Sequence, residues 1–98
     1  MDRHAALDIL RANEAELRSC GVRHAALFGS VARGEARADS DLDVMIDIDR
    51  ATVRDVFTYA GLLRFIGELF PIPVDVADRE SLKDRIRRRA QRDAVAAV

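Results

Sequence analysis

From Asp41 to Asp49 the chain alternates without a break, with Leu42, Val44, Ile46 and Ile48 on one side and Asp41, Asp43, Met45, Asp47 and Asp49 on the other. Successive side chains of an extended strand point to opposite faces, so this period of two fits a half-buried strand and not a helix. Such a strand needs hydrogen-bonding neighbours for its backbone and cover for its aliphatic face. Within 98 residues, the chain must therefore supply further strands and a helical layer.

The flanking segments offer both. Leu7, Leu10 and Leu17 recur among charged residues, predicting an amphipathic helix over roughly His4 to Ser19 that Gly21 would stop. Arg23 to Phe28 is short, apolar and followed by Gly29, which predicts a buried strand. Thr52-Val53-Arg54-Asp55 is a capping-box pattern, and Val53, Val56, Phe57, Ala60, Leu63, Ile66 and Phe70 follow at helical spacing, giving a helix of about Val53 to Leu69 before Pro71 and Pro73. Pro73 to Ala77 reads as a third strand whose Asp75 points opposite Val74 and Val76. Ser81-Leu82-Lys83-Asp84 is a second capping-box pattern, opening a final Arg-rich helix with Leu82, Ile86 and Ala90 on one stripe; Ala94 to Val98 fits either more helix or a closing strand.

This order predicts an α/β (α+β) fold, a small mixed sheet of three to four strands with the acids at one edge and helices against its apolar face. The expected organisation is one domain over residues 1–98, burying roughly 60–70% of the surface of its unfolded chain. The stretch from Gly29 to Ser40 is the longest without a regular pattern, and its polar and glycine content suits a functional loop.

Charge and cysteine content narrow the function classes. Sixteen Lys and Arg nearly cancel 17 Asp and Glu, so no global field favours nucleic acid or an anionic membrane. Cys20 is the only cysteine, which rules out an internal disulfide and a multi-thiolate zinc site. The N-terminus lacks an apolar signal core, and Arg64, Gly67 and Glu68 interrupt the apolar run from Val56 to Phe70. The expectation is a soluble cytoplasmic protein.

Chemistry concentrates on five residues. Asp41 and Asp43 share a strand face with α-carbons about 6.6 Å apart, and Asp75 has the same outward phase on another strand. Like charges that close disfavour joint ionisation, and a divalent cation reverses this by holding all of them ionised. Three such carboxylates suit a pair of magnesium ions serving an in-line phosphoryl displacement, for which a nucleoside triphosphate is the natural substrate. Gly29 would admit phosphate close to the backbone, and Ser30 offers an N–H and a hydroxyl. Each of these features taken alone is more ordinary: a solvated strand face, a turn, a strand-edge acid. Their joint arrangement favours a site.

Rival motifs fail on the same residues. A calcium loop counted from Asp39 would place Val44 at the turn glycine and Arg50 at the terminal glutamate, and Gly29 to Gly34 lacks the Gly-Lys-Ser/Thr ending of a P-loop. Arg33 and Arg37 are read first as solvated loop residues, with phosphate neutralisation as the weaker reading. The cluster Arg85, Arg87, Arg88, Arg89 and Arg92 is read as a solvated helix face, and His4 and His24 as structural or exposed.

Gly29-Ser30, ten intervening residues, then Asp41-Leu42-Asp43 resembles the signature of the polymerase-beta nucleotidyltransferase superfamily. The Ala32-Arg33-Gly34 step and Ser40 resemble in particular the minimal nucleotidyltransferases, the antitoxin halves of HEPN/MNT toxin-antitoxin pairs, and the likeness covers nearly the whole chain. The resemblance implies that Asp41 and Asp43 are paired Mg2+ ligands, that Asp75 is the third carboxylate near the incoming hydroxyl, and that Gly29 and Ser30 hold the triphosphate. It further implies transfer of AMP from ATP onto a tyrosine of a cognate HEPN toxin. Two other expectations stay open: a non-catalytic module that neutralises a toxin by binding, and transfer onto a small molecule.

Overall fold

The aliphatic side of the alternating strand is the centre of the molecule: Leu42, Val44 and Ile46 are at most 1% exposed. In the computed structural model, which describes residues 1–98, that strand is β2 (Leu42–Ile48). The other elements are α1 (Arg3–Ala12), α2 (Glu14–Ser19), β1 (Val22–Phe28), α3 (Gly29–Arg33), α4 (Val56–Glu68), β3 (Val74–Asp78), a 3-10 turn (Arg79–Ser81), α5 (Asp84–Asp93) and β4 (Val95–Ala96). The strands form one mixed sheet in the order β3-β2-β1-β4. β1 runs antiparallel to β2 and β4, while β3 is parallel to β2 through the α4 crossover. The mixed α/β fold with a small sheet is therefore the one expected, and the undecided tail is a closing strand.

Helices cover the apolar sheet face, as expected. Ala6, Leu7 and Leu10 of α1, Leu17 of α2, Val31 and Ala32 of α3, and Leu62 and Ile66 of α4 join the strand aliphatics in a 17-residue core. Met45 departs from its expected place on a solvated face: it is 6% exposed and lies outside that core. Ala90 of α5 is buried outside the core as well, and α5 packs on β1 and α3. Met45 is flanked in the sheet by Ala26 of β1 and Ala77 of β3.

Local chemistry moved several boundaries. The first helix is broken at Asn13, whose Nδ2 donates to the Ile9 carbonyl (2.8 Å), a back-bond that competes with helix continuation. Thr52 does not cap the second long helix. Asp49 takes the Thr52 hydroxyl (3.3 Å) and the Ala51 N–H (3.0 Å) into a turn of its own, so the helix starts later, where the Asp55 carboxylate accepts from the Thr58 N–H (2.8 Å). Ser81 likewise leaves α5 uncapped, its hydroxyl donating instead to Asp78 Oδ2 (3.2 Å).

Asp78 is the one buried charged residue, at 5% exposure. Besides Ser81, its carboxylate accepts from Arg50 Nη2 (3.0 Å) and from the Glu80 N–H (3.2 Å), fixing the end of β3 to the turn that follows. Removing it strands those donors, so Asp78→Ala should lower the unfolding free energy by about 1–3 kcal/mol in urea denaturation. Arg50→Ala should cost less, because that guanidinium is 59% exposed and screened by water.

Candidate active site

Three strand ends meet at one end of the sheet. Phe28, the last residue of β1, is paired with Asp43 of β2, and Asp43 is in turn paired with Asp75 of β3. These partners share a sheet face, and neighbouring strands lie only about 4.8 Å apart, so Asp43 and Asp75 are side by side. The Leu42 N–H donates to the Pro73 carbonyl (3.0 Å), locking the starts of β2 and β3 together just where Asp41 precedes the strand. Asp41 and Asp75 are exposed and Asp43 is half-buried.

The chain turns sharply at Gly29, which adopts φ +74°, a conformation that side chains rarely tolerate. A Cβ at this position would fall on Asp43 Oδ2 and stand 3.1 Å from its Cγ. The Asp43 carboxylate is thus seated against the bare α-carbon of Gly29, which explains physically why glycine stands there. Instead of a structureless loop, the next residues form α3, so Ser30, half-buried, sits in a helical first turn with no side-chain cap. N–H groups of a first turn have no intrahelical acceptor and are free for an anion.

Charge separates the acids of this face into two sets. Asp47 is held by Arg79 Nε (2.6 Å), and Asp49 by its turn and by Arg23 at 3.6 Å. No arginine or lysine forms an ion pair with Asp41, Asp43 or Asp75; the ion pairs are spent elsewhere. Burial, followed by the neighbouring Asp75 and Asp41 charges, pushes the Asp43 carboxyl above the ordinary aspartate range, with Arg33 opposing. The sheet forces three like charges together, and the one cation acting on them, Arg33, does so at a distance and without an ion pair.

Nowhere in the chain do three Asp, Glu, His or Cys side chains already converge in coordination geometry. The donor set itself, all carboxylate oxygen with one member drawn against a glycine, has the chemistry of a hard divalent cation such as magnesium.

The remaining loop residues have structural partners. Arg33 donates to Glu35 Oε2 (3.1 Å) and to Asp93 Oδ2 (2.9 Å), tying α3 to the last turn of α5, so it is neither a free solvated residue nor an unengaged phosphate ligand. The Ser40 hydroxyl accepts from the Arg37 N–H (2.8 Å), closing the turn that delivers Asp41. Sequence reasoning missed both of these contacts, as well as buried Asp78. Arg33–Asp93 spans 60 positions and has no local signal, whereas Ser40 carried one, a hydroxyl three residues after an exposed turn residue.

Comparison with known proteins agrees with the geometry. Residues 8–97 match the family described as Nucleotidyltransferase domain. Over 88 residues the chain is 35% identical to the protein adenylyltransferase MntA of Thermococcus cleftensis, covering 89% of this chain and 87% of that one. A solved structure described as a minimal nucleotidyltransferase superposes with TM-score 0.70 at 34% identity, covering 97% of this chain and 95% of the other. A toxin-antitoxin crystal structure with AMP-PNP shares the fold at TM-score 0.69 and 19% identity, over 90% of this chain and 72% of the other. With a match spanning nearly its whole length, the chain belongs to the nucleotidyltransferase family and shares its small mixed-sheet fold.

Proposed function

We propose that this nucleotidyltransferase moves AMP from ATP onto a hydroxyl of a partner protein, a tyrosine of a HEPN-type toxin, and thereby acts as its antitoxin. The observation that carries the reading is the trio Asp41, Asp43 and Asp75: register sets Asp43 beside Asp75, Asp41 lies two residues before Asp43, and none of the three is in an ion pair. The adenylyltransferase relative supports the choice of AMP and of a protein acceptor, and the toxin-antitoxin structure with AMP-PNP supports the nucleotide and the kind of partner. Such a reaction belongs in the cytoplasm, where ATP is abundant.

In this reading Asp41, Asp43 and Asp75 would hold magnesium, which would supply positive charge to the triphosphate. The chain's own groups do the rest. Ser30 donates its N–H and hydroxyl to phosphate oxygens, and Gly29 keeps that approach free of a side chain. Asp75, exposed on the edge strand, orients the acceptor hydroxyl and takes its proton as the new oxygen–phosphorus bond forms and pyrophosphate departs. The acids line none of the principal surface hollows, which lie along α5, by the Gly34–Ala38 turn and near Arg23 and Arg50. An open sheet end favours a macromolecular acceptor over a small one.

Asp41→Asn should reduce transfer by at least about a hundredfold with the fold intact, read as loss of AMP mass addition to the partner by intact mass spectrometry. Wild-type transfer by that variant would sink the metal assignment; protection from the toxin by Asp43→Ala and Asp75→Ala variants would mean that binding alone suffices. Gly29→Ala should cost more than about 1 kcal/mol of stability in denaturant unfolding, because it combines a disfavoured φ with a collision on Asp43. The raised Asp43 carboxyl means that the folded chain binds that proton more tightly than the unfolded one. Its contribution to metal-free stability is therefore present below the ordinary carboxylate range and is lost as pH rises through the raised value. At neutral pH in EDTA, Asp43→Asn should raise Tm above wild type and abolish the Tm gain on adding Mg2+; a lower Tm in EDTA would contradict the charge argument.

A further inference from the structure

The five arginines of α5 do not share one environment. Arg87 turns back on its own chain, with Nη2 donating to the Leu82 carbonyl (3.0 Å) and Nη1 standing 3.7 Å from Asp84 Oδ1. Arg85, Arg88, Arg89 and Arg92 are exposed and enter none of the chain's ion pairs. At 3.6 residues per turn these four fall within an arc of roughly 100°, and each lies at least about 100° around the helix from buried Ala90. They form one stripe directed away from the molecule. Arg85, Arg88 and Arg92, with Gln91, line a hollow that contains no apolar residue.

This stripe works against the helix that carries it. Arg85 with Arg89 and Arg88 with Arg92 are like charges four residues apart, and Arg85 stands in the first turn, where the helix dipole disfavours a cation. Elsewhere Arg18, Arg23, Arg33, Arg50 and Arg79 each face a carboxylate of the chain. An anionic surface on another molecule would relieve the repulsion along α5.

Position and chemistry indicate which molecule. Asp47 shares the strand face of Asp43, four residues or about 13 Å further along β2. Its partner Arg79 lines a second hollow together with Arg87 and Arg88, so α5 flanks the acid-bearing face. At its other end α5 is tied through Asp93 to Arg33, one helical turn after the glycine that seats Asp43. A protein domain is roughly 30 Å across, so an acceptor that seats a hydroxyl at Asp75 also reaches α5. A nucleic acid fits less well: α5 carries no aromatic residue on which a base could stack, and the nearby acids repel a continuous phosphate backbone. A folded acceptor places its carboxylates only where guanidinium groups can pair with them.

We propose that the stripe of Arg85, Arg88, Arg89 and Arg92 docks an acidic patch of the acceptor protein; this rests on the transfer reading above and extends it to how the acceptor is recognised. The probe is a fluorescent peptide with one tyrosine flanked by glutamates, beside a version with serines in place of the glutamates. In EDTA and at about 0.15 M salt, fluorescence anisotropy should show the glutamate peptide bound at least about tenfold tighter, with the preference shrinking as salt rises. Arg88→Glu should weaken that binding at least about fivefold, and Arg88→Lys should restore most of it. Arg64→Glu makes the same charge change at an exposed position of α4 and should alter binding less than about twofold. Equal affinity for the two peptides, equal losses from Arg88→Glu and Arg64→Glu, or tighter binding of an oligouridylate of equal charge would each overturn the proposal. With Mg2+ and ATP added, Arg88→Glu should raise the KM for transfer to the glutamate peptide by a similar factor. Binding that depends on Arg88 without any transfer by the wild type would uphold the docking surface and count against the transferase reading; transfer indifferent to Arg88→Glu would do the reverse.

Discussion

The parallel pairing of β2 with β3 places Asp43 next to Asp75, and most of what is distinctive about this molecule follows from that register. Left to themselves, the carboxylates at this sheet end would separate. They are held because the opposite side of the same strands is a buried aliphatic face, with Leu42 and Val44 fully enclosed. Shifting β2 by one residue to relieve the repulsion would turn every aliphatic residue to water. Hydrophobic burial on one face thus stabilises an electrostatically costly arrangement on the other.

Around that arrangement the structure economises on counter-charge. Arginines neutralise Asp47, Asp49, Asp78 and Asp93, all of which stabilise turns or tie elements together. Arg33, the cation nearest in influence to Asp43, is committed to Glu35 and Asp93, so it moderates the acidic end without closing it. The uncompensated trio is a concentrated negative site suited to metal, and the uncapped first turn of α3 beside it is suited to phosphate.

The second face of the sheet is shared between chemistry and packing. α5 packs on β1 and α3, and its last turn is anchored to α3 through Arg33–Asp93. α4, by contrast, crosses over the apolar face with Leu62 and Ile66 against it and leaves Val56 and Phe57 of its first turn exposed.

Periodicity and residue chemistry determined a good deal in advance. The alternation of β2 and the turn at Gly29 were legible because each depends only on local geometry: two residues per strand repeat, and a glycine where the chain must turn. The stripe expected of α4 was only partly right: Ile66 and Phe70 are buried, but Val56, Phe57 and Ala60 face solvent and Leu62 takes the core side, because the helix starts later and is rotated by its Asp55 cap. Caps were misplaced where a side chain had a better partner elsewhere: Thr52 and Ser81 have capping chemistry, but Asp49 and Asp78 claimed their hydroxyls. Met45 was misjudged because alternation shows which face a residue points to and not what covers that face. The tertiary structure alone decided the strand order, the parallel register that sets Asp43 against Asp75, the burial of Asp78, and the seating of the Asp43 carboxylate on Gly29. These are contacts between residues distant in sequence, formed by which surfaces could be buried together, and local pattern carries no information about that.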